Sequence, residues 1–245
     1  MRIIRDVRYN NLENSFVDLF LPQQDSFDLM IWFHGGGFET GDRKNPVFAS
    51  QLVDAGVGVA SVEYRLYPHA KFPDFIEDCA SAVGYILENA EKFGKVKRFF
   101  VAGQSAGAYV VLMLCVNPDY FEKAKVDTSK ISGYIADSAQ TTTHFNVLKE
   151  RVMDSRLERI DDGAPLYYLN ENTNVSNLLI IYYSNDMYCR AEQNELFYKS
   201  ILRFCPNNNI KMVTLEGDHC NGSINKNEQG SYDFNNTVLE FIKDI

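Results

Sequence analysis

The chain has 245 residues, 45% of them hydrophobic and 23% charged, the balance of a globular protein long enough to bury a sizeable core. Its net charge of −9 argues against a nucleic-acid partner, which would need a basic face, and no run of like charges marks a membrane-binding patch. No apolar stretch approaches the length that spans a membrane.

The N-terminus, Met-Arg-Ile-Ile-Arg-Asp-Val-Arg, has no apolar signal core and no small-residue cleavage site. Five cysteines (Cys79, Cys115, Cys189, Cys205, Cys220) are scattered, odd in number and without a Cys-x-x-Cys. That pattern suits free thiols in a reducing compartment, so a cytoplasmic protein is expected. The four histidines (His34, His69, His144, His219) show no ligand spacing, and no metal site is expected.

Taken in order, Arg2 to Tyr9 and Ser15 to Pro22 read as a strand and its hairpin partner. Asp28 to Phe33 is a nearly unbroken apolar run, which suits a strand covered on both faces. It ends in His34-Gly35-Gly36-Gly37-Phe38. Residues 46 to 55 read as a helix with Val47, Phe48, Leu52 and Val53 on one side, stopped by Gly56. Val57 to Tyr64 is another buried strand, followed by a loop through Pro68 and Pro73. Asp74 to Phe93 has the three- and four-residue spacing of an amphipathic helix (Ile76, Cys79, Ala80, Val83, Ile86, Leu87), capped by Gly94.

Phe99 to Ala102 is an apolar, β-favouring run that meets Gly103-Gln104-Ser105-Ala106-Gly107 and turns directly into a helix-compatible segment. Strand, sharp turn and helix are the setting in which Gly-x-Ser-x-Gly carries a nucleophile. A Cβ at Gly103 or Gly107 would meet the neighbouring helix and strand. Ile131 to Asp137 is a further strand. Residues 138 to 177 lack periodicity and read as an excursion over the sheet, with a short helix near Val147 to Val152. Leu178 to Ser184 and Ile210 to Glu216 are strands, with a helix from Ala191 to Phe204 between them and a last helix from Phe234 to Lys243. Strands alternating with helices predict one domain over residues 1–245, α/β in class, with about eight mostly parallel strands and helices on both faces. Whether 138–177 forms a small cap over it is left open.

Ligands of open parallel sheets bind beyond the carboxyl ends of the strands. Four features fall there: the glycine run after His34, Ser105, Asp186 and His219. Their order is that of the α/β-hydrolase fold. A serine hydroxyl is a poor nucleophile at neutral pH, so His219 is expected to take its proton, and Asp186 to orient the imidazole. Asp137 also ends a strand and competes with Asp186 for that role. The oxyanion needs preorganised donors, expected from the backbone N–H groups of Gly36, Gly37 and Ala106. His34 is expected to fix the glycine loop. Glu63, Arg65 and Asp78 are expected to form one internal ion-pair network. Tyr67, Phe38, Tyr167, Tyr168, Tyr188 and Phe145 are candidates for a substrate pocket.

His34-Gly-Gly-Gly-Phe38, Gly41-Asp42, Ser61-Val-Glu-Tyr-Arg65-Leu66 with Pro68, Phe72-Pro73, Glu77-Asp78 and Gly-Gln-Ser105-Ala-Gly resemble the hormone-sensitive-lipase-like branch of the α/β-hydrolases. The resemblance is strong over residues 28 to 112 and loose beyond. It departs at Gln104, where that branch usually has Asp. It departs also in the 33 residues before His34, fewer than the N-terminal cap of longer members, and in the stretch around Asp186, which lacks their Asp-Pro-Leu-x-Asp-Glu. These departures bring it nearer to small acetyl-esterase and formamidase-like relatives. The resemblance implies a serine esterase that removes a short acyl group, acetyl first, from a small-molecule ester such as an acetylated sugar, with no metal or organic cofactor. Amide cleavage and a non-catalytic binding protein are the alternatives, and self-association into a homo-oligomer is left open.

Overall fold

Alternate residues of the central strand face two separate cores. In β3 (Ser26–Phe33), Leu29, Ile31 and Phe33 pack into the larger core, while Met30 and Trp32 pack into a smaller one on the opposite face. This two-sided burial is why the run shows no polar alternation. The computed structural model describes residues 1–245, and its sheet is completed by β1 (Arg2–Arg8), β2 (Phe16–Leu21), β4 (Val57–Val62), β5 (Lys95–Gln104), β6 (Ile131–Asp137), β7 (Asn177–Asn185) and β8 (Asn209–Asp218). The spatial order is β1-β2-β4-β3-β5-β6-β7-β8. β1 and β2 pair antiparallel, as do β2 and β4, and every other neighbour is parallel.

Eight helices accompany the sheet: α1 (Ala49–Asp54), α2 (Asp74–Glu88), α3 (Ala106–Val116), α4 (Asp119–Lys123), α5 (Phe145–Glu150), α6 (Arg190–Phe204), α7 (Asn221–Ile224) and α8 (Asp233–Lys243). α2, α3 and α6 feed the larger core through residues such as Ile76, Val83, Val110 and Phe197. α1 and α8 cover the other face with Leu52, Val53, Phe234, Val238 and Phe241. α3 is buried all round save Cys115, so it is a central helix with no polar side.

Three helix boundaries differ from the sequence expectation. α1 begins at Ala49, not residue 46: Pro46 to Phe48 form the lead-in turn, closed by Ala49 N–H on the Pro46 carbonyl at 2.9 Å, and Val47 is exposed. α2 stops at Glu88 rather than Phe93. The Asn89 N–H makes the last helical bond, to the Tyr85 carbonyl at 3.0 Å, and its side chain shares that acceptor at 2.8 Å. A 3₁₀ turn at Ala90–Lys92 follows before Gly94, at φ +144°. α5 runs from Phe145 to Glu150, and Val152, expected inside it, is exposed and left-handed at φ +57°. The one-turn helices α4 and α7 are too short to write a period into the sequence.

The expected single ion-pair network is two. Arg65 forks onto Asp78 with both contacts at 2.8 Å. Glu63 instead takes Arg43 at 3.0 Å, and Arg43 also reaches the buried Asp18 at 3.1 Å. The excursion after β6 packs closely for its first part, with residues 138 to 144, Asn146, Val147 and Leu148 buried; it then runs mostly exposed and returns to the interior at Gly163, Ala164 and Pro165 and at Val175. No helix of the chain is long and apolar enough to cross a membrane.

Candidate active site

Ser105 sits between β5 and α3 with φ 53° and ψ −114°, a conformation that costs a non-glycine residue about 1–3 kcal/mol. Neighbouring hydrogen bonds hold it there. Its N–H donates to the Asp137 carbonyl at 2.7 Å, and its own carbonyl accepts from Tyr109 N–H at 2.9 Å. The two flanking glycines make the turn possible. A Cβ on Gly103 would lie 2.5 Å from the Gly107 backbone, and one on Gly107 would lie 2.1 Å from the Phe33 carbonyl oxygen.

Two loops at the same end of the sheet bring the partners. Asp186 follows β7 and His219 follows β8. His219 Nε2 lies 2.9 Å from Ser105 Oγ, and its Nδ1 lies 2.5 Å from Asp186 Oδ1. Asp186 Oδ1 also accepts from Met187 N–H at 2.7 Å, and Oδ2 accepts from the Ser138 hydroxyl at 3.0 Å. Burial opposes its charge, but the donors from His219, Met187 and Ser138 outweigh that and hold the carboxyl below its ordinary value. The acceptor facing Nδ1 therefore stays anionic at neutral pH. Ser138, which the sequence reading missed, also accepts from Cys220 N–H at 3.3 Å and so ties the His219 loop to the Asp186 loop. A lone serine after a strand carries no signal of that role.

Asp137, the competing acid, is turned elsewhere. It is fully buried, and its Oδ2 accepts from Ser223 Oγ at 2.6 Å while Oδ1 has no partner. Ser223 in turn accepts from Gln104 Nε2 at 2.8 Å, so the residue that departs from the resembled pattern belongs to this network. Burial, only partly offset by the hydrogen bond from Ser223 and the nearby His219, pushes the Asp137 carboxyl up to about 7. A raised carboxyl binds a proton in the folded state that the unfolded chain has lost. Its stabilising contribution is thus complete below about pH 4 and disappears as pH rises through about 7. Asp137→Asn is expected to raise the unfolding free energy at pH 8 by a few kcal/mol, on the order of 1.4 per pKa unit, and to give little at pH 4. Denaturant titrations of both proteins at the two pH values check this; an equal effect at both would assign Asp137 an ordinary charged role.

The glycine loop packs against the serine turn. His34 Nδ1–H donates to the Gly35 carbonyl at 2.7 Å, its ring stacks on Tyr64 at 4.5 Å, and the Tyr64 hydroxyl donates to the His34 carbonyl at 2.7 Å. Burial lowers the His34 pKa, so the ring is a neutral prop for the loop. Gly36 and Gly37 have φ of +108° and +64°, and a Cβ on Gly36 would lie 2.1 Å from the Thr40 carbonyl oxygen. The Gly36 carbonyl is occupied by Glu39 and Thr40 N–H groups, and Asn146 Nδ2 donates to the Gly37 carbonyl at 2.5 Å. The N–H groups of Gly36 and Gly37 donate to no group of the chain. That of Ala106, the first residue of α3, has no intrahelical acceptor.

Two hollows adjoin these elements. One of about 310 Å³ is lined by Gly35, Gly36, Gln104, Ser223 and Ile224. One of about 490 Å³ lies beside Phe145, whose ring would be 3.3 Å from a Cβ on Gly37, and beside Met187 and Tyr188, which follow Asp186. A third, of about 580 Å³, lies by Arg2, Gln24, Asp25 and Lys95 and touches none of the site residues. Of the aromatic pocket candidates, only Phe145 and Tyr188 line the hollow beside Asp186. Phe38 is core, Tyr67 donates to Glu150 at 2.5 Å, Tyr167 is exposed, and Tyr168 donates to the Asp162 carbonyl. No group of three or more His, Cys, Asp or Glu side chains is arranged to hold a metal ion.

Comparison with known proteins agrees with this architecture. Carboxylesterase NlhH of Mycobacterium tuberculosis is 35% identical over 111 residues, which cover 43% of this chain and 35% of the relative. The match thus spans about a third of the length of that curated relative. A truncated carbohydrate esterase from gut microbiota superposes with a TM-score of 0.77 at 16% identity, covering 99% of this chain and 96% of the other. Esterase 2 of Thermogutta terrifontis, with propionate bound, gives a TM-score of 0.77 at 18% identity over 98% of this chain and 93% of the other. Esterase B of Lactobacillus rhamnosis, with a C4-C4 SN3 tributyrin phosphonate, gives 0.80 at 15% identity over 99% and 85%. The BD-FAE family model matches residues 17–148, more than half of the chain and the whole stretch from β2 through the glycine loop and the serine turn to α5. With its eight-stranded sheet and its resemblance to the hormone-sensitive-lipase-like branch, the chain belongs to the BD-FAE family and has the α/β-hydrolase fold.

Proposed function

We propose that this protein is a serine esterase that hydrolyses small carboxylic esters with a short acyl group, acetyl first. The observation that carries the reading is the continuous chain from Ser105 Oγ through the His219 imidazole to Asp186, at 2.9 and 2.5 Å, on a serine held in a strained turn. Ser105 Oγ attacks the ester carbonyl carbon, and its proton passes to His219 Nε2. The carbonyl oxygen takes up the electron pair and faces the N–H groups of Gly36, Gly37 and Ala106. Such donors are each worth about 10²- to 10³-fold in rate. Collapse breaks the bond to the alcohol oxygen, which leaves with the proton from Nε2. Water then attacks the acyl-enzyme, gives its proton to Nε2 and releases the acid as Ser105 regains its hydrogen. Asp186 keeps Nδ1 protonated and stabilises the imidazolium.

A hollow of about 310 Å³, at the small end of the range for ligand pockets, borders the glycine loop at Gly36 and the serine turn at Gln104 and is the space this reading assigns to a short acyl group. The names of the fold relatives, with propionate and a C4-C4 phosphonate, point the same way, and an acetylated sugar is one alcohol half of suitable size. The test is turnover of p-nitrophenyl esters from acetate to decanoate. Rates are expected to peak at acetate or propionate and to fall steadily with chain length. A maximum at octanoate or beyond would overturn the short-acyl reading. Formamide turnover above that of every ester would make the protein an amide hydrolase. Failure of the folded protein to react with a fluorophosphonate would leave a binding protein on a hydrolase fold.

A further inference from the structure

The hollow of about 490 Å³ lined by Phe145, Met187 and Tyr188 contains a buried cation that forms no ion pair. Arg190 is only 4% exposed, and its Nε and Nη1 are buried without any hydrogen-bond partner. Its sole polar contact is Nη2 to the Met187 sulfur at 3.7 Å, a weak acceptor. None of the chain's ion pairs includes it. Neither nearby carboxylate is paired with it: Asp186 is held by His219, Met187 and Ser138, and Glu158, which lines the same hollow, accepts through Oε2 from the Thr142 hydroxyl and Gln193 Nε2 at 2.9 and 2.7 Å.

Two further features make the position more costly. Arg190 is the first residue of α6, a 15-residue helix whose N-terminus carries the positive end of the dipole, where a cation is disfavoured. The rim of the same hollow adds Lys149, exposed and without a salt bridge, over the Phe145 ring at 5.4 Å. Burial lowers the Arg190 pKa from its ordinary value, with Asp186 opposing, but a guanidinium does not lose its proton in a protein. An unpaired buried charge is among the most expensive groups a fold can hold, and it is tolerated where a ligand completes it. A planar fork with free N–H groups, in a hollow that also takes Met187 and Tyr188 from the loop after Asp186, matches a carboxylate.

We propose that Arg190 is a specificity-determining residue that binds a carboxylate on the alcohol half of the substrate, so that the preferred substrates are short-acyl esters of hydroxy acids. The alcohol half is chosen because the short acyl group of the proposed reaction has no room for a second charged group; to that extent the inference rests on the esterase reading. The local positive charge stands against a chain of net charge −9, so it is a property of the hollow and not of the surface at large.

The test uses 4-acetoxyphenylacetate and its uncharged amide, 4-acetoxyphenylacetamide, which share the scissile ester. The wild type is expected to favour the anion by about tenfold or more in kcat/KM, mainly through KM, as one charge-assisted pair provides. Arg190→Met is expected to abolish the preference, and Arg190→Lys to keep part of it as a point charge. A wild type that treats both esters alike, or an Arg190→Met that slows both equally, would overturn the proposal. Binding of 4-hydroxyphenylacetate against 4-hydroxyphenylacetamide, measured by calorimetry, separates the two readings. Tighter binding of the anion, lost in Arg190→Met, with no ester hydrolysed would sustain the subsite and sink the esterase. Ester hydrolysis with no anion preference in either measurement would do the reverse. Thermal unfolding adds a readout that a structural role would move the other way: Arg190→Met is expected to be at least as stable as the wild type, and a lowered Tm counts against an unpaired charge.

Discussion

Replacing Ser105 by alanine is expected to lower kcat for p-nitrophenyl acetate by about 10⁴- to 10⁶-fold, with little change in stability. The substitution deletes one oxygen and leaves the rest of the site in place. Alanine keeps the same φ of 53° because the turn is imposed by the Ser105 N–H bond to Asp137 and by the contacts that require Gly103 and Gly107. Strain is therefore neither added nor relieved. The N–H groups of Gly36, Gly37 and Ala106 remain, and in serine hydrolases such donors and binding alone keep some rate above that of water. Initial-rate assays beside fluorophosphonate labelling check the result. Turnover within tenfold of the wild type would mean that another group attacks the ester, and the proposed mechanism would fail.

Asp186→Asn is expected to cost about 10⁴-fold in kcat, whereas Asp137→Asn is expected to cost far less. Asp186 faces Nδ1 at 2.5 Å, and its charge is held by donors that favour the ionised form. An amide there removes the negative charge opposite the imidazolium and allows the wrong tautomer, with Nε2 protonated and unable to accept from Ser105. Asp137 ends the neighbouring strand, opposite Gln104 in register, but its carboxyl is turned to Ser223 and raised by burial to about 7, so an amide replaces a group that is half protonated at neutral pH. Measured kcat values for the two variants decide the matter. A larger loss in Asp137→Asn would transfer the orienting role to it. A loss shared equally would mean that the two loops act as one unit through Ser138 and Ser223.

Much of this site is legible before folding because it is built from backbone requirements. Gly36, Gly103 and Gly107 stand where a side chain would come within 2.1 to 2.5 Å of backbone, and such requirements leave only glycine. The order of Ser105, Asp186 and His219 is legible for a related reason: each follows a strand, apolar and buried before Ser105 and Asp186 and an alternating edge strand before His219, and a parallel sheet delivers all such ends to one side. What fails to show is whatever depends on side chains meeting across the chain. Glu63 and Arg65 lie two residues apart, yet they bind different partners because Arg43 arrives from another loop. The end of α2 is blurred because a 3₁₀ turn at Ala90–Lys92 follows it directly, a change of winding that helical periodicity does not encode.

The sequence by itself determined the sheet, the serine turn and the glycine loop, because local sterics and a period of burial on both faces admit few other arrangements for these residues. Only the tertiary structure shows that Asp186, and not Asp137, faces His219. The choice turns on which carboxylate meets His219 across two loops, and on how many donors each finds there. It alone isolated Arg190 as well. In the sequence that residue is one of 24 Lys and Arg on an acidic chain, ordinary until it is seen buried without an ion pair or a hydrogen bond to Asp186 or Glu158.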